Sequence, residues 1–521
     1  MTRSFFLFLL LGSLASASSS SSPSCAGVAA AFDASRDYYP FAERAPAPRF
    51  ATTFSVSYSR SYKLLNLSAA RTLVTLRPCG APLPPLSGSF PIPGWTHIDL
   101  EAGADGKSLS RLALLSTTQV PFLALLGRGA LAAAVSGARL LHSPCLRAAV
   151  AAGAVAELAN PDDSLNTSAL NSVLPSLDAV LCSGGWGCPG SPRDIPIADA
   201  LEADVRGIAE QALLVAVLTG SEAAAGALVG GILSRYECSR AAVAAALPPA
   251  PASRPRVLWA YAYGGAWYVA SCPNYYCQIV ADAGGQLLLA TSPGSGPYGG
   301  YSDVEIAPLF AQADVLIYAN DNFDAEVLPF LGSSANASSP RTLALAGSPA
   351  VAAGAVFDIL RSGVNAWFEQ RPAQPDALLQ DVAAALAPFA AAPKLTPAAL
   401  RSAMRASAAS RVWLRLPLAA EAVGAPPPLA VCSSQLSVQL PLALSCSAVG
   451  PMLGALRNAE PSASSTANVL PVGAIAGIAI AVAVIVAALA VFVVARARVS
   501  ERASRIAKVV TTSAVTVEAT V

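Results

Sequence analysis

The chain has 521 residues, room for two or three domains, and its 33 Lys and Arg against 32 Asp and Glu leave a net charge of +1. That balance supplies no basic field for a polyanion, which excludes nucleic acid as a class of partner. Hydrophobic residues reach 54%, but alanine supplies much of the excess, so composition alone does not establish membrane insertion. The ten cysteines are an even number and fit an oxidising compartment.

At the start, Arg3 precedes an apolar run over 5–11, and Ala15-Ser16-Ala17 offers the small residues a signal peptidase accepts. The pattern predicts a signal peptide over 1–17 and a disordered or extended segment over 18–49. From residue 50 the chain is β-like: Phe54, Val56 and Tyr58 alternate with Ser55, Ser57 and Ser59, and further strands are predicted over 62–67 and 72–76. The Pro- and Gly-rich run 81–94 is a loop. TTQVPFLALLGRG, 117–129, predicts a strand end passing into a short helix stopped by Gly127, and 166–174 a second short helix. That helix feeds a strand over 178–182, which opens into the loop SGGWGCPG and completes a first lobe, 50–196.

Residues 197–255 form the predicted connecting spine. Ala, Leu and Val recur at helical spacing without a Pro until Pro248-Pro249, and glycines at 220 and 226–231 divide the run into two helices, the second from about Ser221. The second lobe, 256–393, opens on a strand over 257–261 and carries another over 313–318, both apolar throughout, as expected of a parallel sheet covered on its two faces. Between them two predicted Gly-rich loops carry Tyr261, Tyr263, Trp267, Tyr268, Tyr298 and Tyr301. A strand over 342–346, a helix over 350–363 and a closing helix over 376–386 follow. Residues 394–468, with Cys432, Cys446 and the tract SASSTAN, form an appended segment and stalk. A transmembrane helix is predicted at 469–495: residues 472–495 carry no charge and make about 36 Å of helix, enough for a bilayer core of about 30 Å. Arg496, Arg498, Arg502, Arg505 and Lys508 follow at once, which makes 496–521 a cytoplasmic tail. Sequons at Asn66, Asn166 and Asn336 agree with a secretory route to the plasma membrane or an endomembrane, the amino-terminal part facing outside or the lumen.

No GxSxG, HExxH or phosphate-loop pattern is present, so the chain is expected not to be an enzyme and to need no catalytic cofactor. His97 and His142, the only histidines, each lack a second ligand at metal spacing. Cys182 with Cys188, and Cys272 with Cys277, are spaced either as metal pairs or as disulfides; a secreted context favours disulfides, which would stiffen the loops flanking a cleft. Cys25, Cys79, Cys145 and Cys238 stay unassigned.

In order, the motifs SVSYSRSYKLLNL, TTQVPFLALLG, LDAVLCSGG, LTGSEAAAGALVGGILSRY, VLWAYAYGGAWYVAS, DAGG, YSDVEIAPLFAQADVLI and VFDILRSGVNAWFEQRPAQPDALLQDVAAALAP, within 50–393, resemble the periplasmic-binding-protein type whose two lobes are joined by a single helix. That type carries cobalamin and ferric siderophores in bacteria, and the whole is similar to the cobalamin acquisition proteins of algae. The resemblance implies an α/β fold of two lobes with parallel sheets joined by one long helix, with the ligand held in the cleft between them. A corrinoid is a flat, amide-fringed macrocycle, so aromatic walls suit it: Tyr261, Tyr263, Trp267, Tyr268, Tyr298 and Tyr301 on one side and Trp186 on the other, with Arg77 able to reach an anionic group. The competing readings are that these rings pack the lobe cores and that Arg77 sits in an ion pair. Bacterial members dock on a permease through an acid on each lobe; Glu305 falls near the second, but 166–174 holds no acid, and the carboxy-terminal span is extra. The function implied is a membrane-anchored receptor that captures cobalamin and passes it to a transporter or to endocytosis. A ferric-siderophore or haem receptor of the same fold, or an adhesive glycoprotein with a closed cleft, are the alternatives.

Overall fold

The computed structural model describes Cys25 and residues 32–84, 92–103, 107–184, 187–246, 254–289, 298–331, 338–390, 396–425, 427 and 445–457. The predicted signal peptide, transmembrane helix and tail lie outside these residues. Among the described residues no helix is long and apolar enough to cross a membrane.

Three sheets organise the described residues. The first, in order β1 (Ser55–Tyr58), β2 (Lys63–Leu67), β3 (Thr72–Arg77) and β4 (Thr96–Glu101), is antiparallel except for the β3–β4 pair. The second is parallel throughout, in order β7 (Ala156–Glu157), β6 (Ala132–Val135), β5 (Leu112–Leu114), β8 (Ala179–Ser183) and β9 (Asp194–Ile197). Its inner strands β5, β6 and β8 are nearly continuous apolar runs, mostly buried, as a sheet covered on both faces requires. Short helices α1 (Val120–Leu125), α2 (Pro144–Ala151) and α3 (Thr167–Val173) connect them, and Asn166 caps α3 by accepting from the Ala169 N–H.

Two helices lead out of this first lobe, α4 (Val205–Thr219) and α5 (Glu222–Ala246), divided at Gly220 in the left-handed region. All of α4 but Arg206 is buried. Gly207 lets the chain at Ala51 approach: a Cβ there would stand 3.0 Å from the Phe50 oxygen. The Glu210 carboxylate accepts the N–H groups of Arg49, Phe50 and Ala51, and Glu202 those of Thr52 and Thr53. The described part of the 18–49 segment is therefore folded rather than disordered: Tyr38 and Tyr39 are buried, and Cys25 is bridged to Cys79. Lys63 ties the first sheet to both helices, donating to the Val217 carbonyl near the end of α4 and pairing with Glu222 at the start of α5.

The second lobe is built on β10 (Arg256–Tyr263), β11 (Ala266–Ala270), β12 (Gln286–Leu287), β13 (Tyr298–Tyr301), β14 (Val315–Tyr318) and β15 (Val356–Asp358), in spatial order β13-β11-β10-β14-β15 with β12 beside β10. β10, β12, β14 and β15 are parallel, whereas β11 runs antiparallel to both its neighbours, β10 and β13. The fold class is α/β with parallel strands at the centre of both lobes, but this sheet is mixed. Its helices are α6 (Tyr275–Asp282), α7 (Asp303–Phe310), α8 (Phe323–Glu326), α9 (Pro340–Ala346), α10 (Pro349–Ala353), α11 (Ala366–Gln370) and α12 (Pro375–Ala390), the last packed along α5.

Two expectations change here. The strand predicted over 342–346 is helix α9, capped by Ser339 and opened by Pro340; its alternating Leu and Ala are strong helix formers. The strand lies instead inside the helix predicted over 350–363, as β15, entered from Gly354 at φ 72°. In the appended segment α13 (Pro397–Ala406) and α14 (Cys446–Arg457) pack on α12, and the buried Asp381 carboxylate accepts N–H groups from Val412, Trp413 and Leu414.

Candidate functional site

The predicted aromatic loops are strands. β10 pairs with β14 only as far as Ala260 opposite Tyr318, then runs on as a hairpin with β11, Tyr261 opposite Tyr268 and Ala262 opposite Trp267. Gly264 and Gly265, both at positive φ, make the two-residue turn. The hairpin thus projects past the carboxyl edge of β14, the position at which open α/β sheets receive ligands.

Strand pleating sorts the rings onto two faces. Tyr261 and Tyr268 lie together on one, stacked with centroids 5.2 Å apart and planes 16° apart, each ring partly exposed. Burial, then Tyr276 and Tyr268, raise the Tyr261 phenol above its ordinary value, so it is protonated at physiological pH and can donate. Tyr263, two residues on, is 64% exposed. Trp267 is on the opposite face and fully buried, its edge against Phe310 (4.9 Å) and Tyr318 (6.2 Å), its Nε1–H donated to Asp303 at 2.7 Å and the Arg341 guanidinium 5.4 Å from its ring. Trp267 is a core residue. Tyr301 lies opposite Trp267, with its ring folded back over Gly299, where a Cβ would come within 2.9 Å of it. Tyr298 pairs with Ala270 through the backbone, but its side chain, like Trp186, lies outside the described residues.

Arg77 is in the first sheet, not at the hairpin. Its guanidinium is buried between Asp99 and Glu101, at 2.8 Å from each, and also donates to the Ala81 carbonyl. That occupancy takes it out of the ligand set and makes it the ion pair of the competing reading. His97 shares a hydrogen bond with the Thr75 hydroxyl. Glu305, the candidate docking acid, closes a capping box with Ser302 at the start of α7.

Both predicted disulfides are present, Cys182–Cys188 and Cys272–Cys277, and Cys145 and Cys238 are also disulfide-bonded. Asp194 stands near the Cys182–Cys188 sulfurs, but sulfurs joined to each other are not thiolate ligands, so the metal-pair reading falls. Of the sequons, Asn66 is half-buried on β2, Asn166 caps α3, and Asn336 lies outside the described residues.

The lobes meet through segments that follow the carboxyl ends of their strands. The turn after β6 meets α11, which follows β15: Asn365 donates to the Arg139 carbonyl at 2.9 Å, and the Glu369 carboxylate accepts the N–H groups of His142 and Ser143. After β9, the fully buried Asp199 accepts from the Thr118 hydroxyl and faces Arg371, and burial raises its carboxyl above the ordinary value. Arg371 lies 5.0 Å from the ring of Tyr275 and 5.1 Å from that of Trp367. Tyr275, Tyr276, Trp259 and Trp367 form a run of rings at centroid spacings of 4.1, 4.6 and 6.1 Å. Sequence reasoning did not place Trp259, Tyr275, Tyr276, Trp367 or Arg371 at the lobe boundary; the tracts NYYC and NAWFEQR carry four of them. A separate cavity of about 180 Å³ is lined by Tyr38, Tyr39, Tyr58, Arg44, Lys107 and Glu222 among others. It is smaller than the roughly 300–1,000 Å³ of drug-sized ligand sites and does not include the hairpin rings.

No family model and no curated protein sequence matches the chain. Among solved structures, the periplasmic vitamin B12 binding protein of Vibrio cholerae is 14% identical at TM-score 0.39, over 53% of this chain and 96% of that one. A periplasmic heme binding protein from Pseudomonas aeruginosa is 16% identical at 0.38, over 56% and 96%. A periplasmic binding protein from Veillonella parvula is 14% identical at 0.40, over 54% and 92%. At these values the likeness decides nothing about ligand, which has to be argued from the side chains.

Proposed function

We propose that the chain is a membrane-anchored substrate-binding protein, not an enzyme, that captures cobalamin between its two lobes for cellular uptake. The carrying observation is the stacked, partly exposed pair Tyr261–Tyr268 with exposed Tyr263 beside it, on a hairpin that overruns the carboxyl edge of its sheet. Rings held parallel and open on one side are suited to stack on a flat macrocycle, and the Tyr261 phenol can donate to its amide carbonyls. The motif order set out above supports the same reading, and so does the meeting of the lobes at strand carboxyl ends. In this reading residues 472–495 anchor the protein, the signal peptide is removed, and the disulfide-bearing lobes face the outside or the lumen, with an endocytic or transport partner on the path inward.

Titration calorimetry of the full-length chain in detergent, with cyanocobalamin, haemin and a ferric siderophore in parallel, tests this. Cobalamin binding at micromolar concentration or tighter is expected. Binding of haemin or the siderophore alone would keep the receptor and change its cargo, and no binding of any of the three would remove the receptor reading.

A further inference from the structure

The cavity that leaves out the hairpin lies where the amino-terminal segment, the first sheet and the α4–α5 division come together. Tyr39 and Arg44 line it from the segment, Tyr58 from the end of β1, and Glu222 and Ala223 from the first turn of α5, with Lys107 completing the wall. Its volume is about 180 Å³. A cavity of about 150 Å³ holds one benzene, so this space suits a molecule of roughly six to ten non-hydrogen atoms rather than a macrocycle.

The charges around it do not cancel. Each carboxylate of the wall is met by a lysine: Glu43 pairs with Lys107, and Glu222 with the buried Lys63. Arg44 has no carboxylate partner among the described residues. Its Nε–H is donated to the Tyr39 carbonyl at 2.8 Å and its guanidinium carbon lies 5.4 Å from the centre of the Tyr58 ring, so a carbonyl and a ring hold it rather than an acid. Lys63, Lys107 and Arg44 against Glu43 and Glu222 leave one positive charge uncompensated. The hydrogen bonds point the same way. The Tyr58 oxygen accepts the Ala45 N–H at 3.1 Å, and burial raises its phenol above the ordinary value, so the phenol keeps its proton, for which the described residues supply no acceptor. Donors that lack an acceptor thus stand beside carboxylates that already have their cations.

We propose that this cavity is a second binding site, for a small flat monocarboxylate: Arg44 pairs with the carboxylate, the Tyr58 hydroxyl donates to it, and the rings of Tyr39 and Tyr58 receive the body of the molecule. Those rings have centroids 6.4 Å apart and planes 57° apart, so they offer two inclined surfaces. An ammonium ligand carries the wrong charge, because the carboxylates that would receive it are held by lysines. Inorganic phosphate matches the charge but leaves the ring surfaces unused. The site is independent of the hairpin and of whatever the lobes hold between them.

Titration calorimetry of the full-length chain in detergent, with benzoate and its neutral isostere benzamide, tests the site. Benzoate is expected to bind with a Kd on the order of 1 mM or tighter, the range open to a ligand of about nine non-hydrogen atoms, and about tenfold tighter than benzamide. Arg44→Gln should bring the two ligands within about twofold of each other, a ratio that partial unfolding leaves unchanged because it weakens both alike. Should R44Q not fold, Ala223→Leu decides: it places a good helix former at an exposed position of α5, fills the cavity, and should abolish binding of both ligands. Tyr268→Ala should leave benzoate binding as it is. No benzoate binding up to about 10 mM, benzoate no tighter than benzamide, or a preference that survives R44Q would overturn the proposal. So would benzoate binding that persists in A223L or is lost in Y268A, or binding of benzylamine or inorganic phosphate in place of benzoate. Cobalamin binding, present or absent, alters none of these outcomes.

Discussion

On one face of the β10–β11–β13 ribbon Trp267 is sealed between Phe310 and Tyr318 with its N–H bonded to Asp303; on the other, Tyr261 and Tyr268 stack with part of each ring in solvent. The two sets are neighbours in sequence and alike in composition. Their difference comes from the pleat together with what covers each face: α7 closes one, while the hairpin carries the other past the end of β14. Aromatic content therefore does not mark a ligand wall by itself; in the binding reading a ring must also keep part of its surface free of neighbours.

The largest expected effect breaks the comparison on its closed side. Trp267→Ala removes a fully buried ring, takes from Asp303 one of its donors while the Arg341 guanidinium keeps the other, and should cost about 3–5 kcal/mol of stability. A thermal melt reads this as a large fall in Tm, with ligand affinity of the folded fraction kept. A melt close to wild type would mean that Trp267 is not the core residue its burial makes it.

On the open side, Tyr261→Ala and Tyr268→Ala should each weaken ligand binding by about 1–2 kcal/mol, roughly tenfold. The loss of stability should be smaller than at Trp267, because less of each ring is buried. Stacked rings that grip one ligand should also be coupled, with the double variant costing less than the sum of the singles by about 0.5–1.5 kcal/mol. Calorimetry on the four proteins measures it, and unchanged affinity in both single variants would separate the pair from the ligand.

How far this was legible in the sequence follows from which signals are local. Strand β1 shows as alternation, α3 shows through its Asn166 cap, and the division of the spine shows through Gly220; each is a property of a few adjacent residues. The hairpin was also locally encoded, as Gly264-Gly265 between Tyr- and Trp-rich runs, but glycine-rich aromatic sequence reads equally as loop until the strand pairing is seen. What could not be read was depth. Trp267 and Tyr268 are adjacent and differ in burial because of what covers each face, and Arg77 is removed from the ligand set by Asp99 and Glu101, 22 and 24 residues downstream. The run Trp259, Tyr276, Trp367 joins residues over 100 positions apart. No periodicity announces such a pairing.

The smallest expected effect is at Tyr263, and it sharpens the comparison most, because structure and binding separate there. The residue closes β10 just before the turn, opposite Ala266, with most of its ring in water. Tyr263→Ala should therefore move stability by no more than about 0.5 kcal/mol. In the binding reading the exposed ring is the outer edge of the stacking surface, so the same substitution should lower affinity severalfold, about 1 kcal/mol, while Tyr263→Phe keeps it because stacking needs the ring rather than the hydroxyl. Melting and calorimetry on both variants test the pair of statements. An alanine variant with wild-type affinity would confine the ligand surface to Tyr261 and Tyr268; a phenylalanine variant as weak as alanine would show that the phenol, by donating to the ligand, is the part that binds.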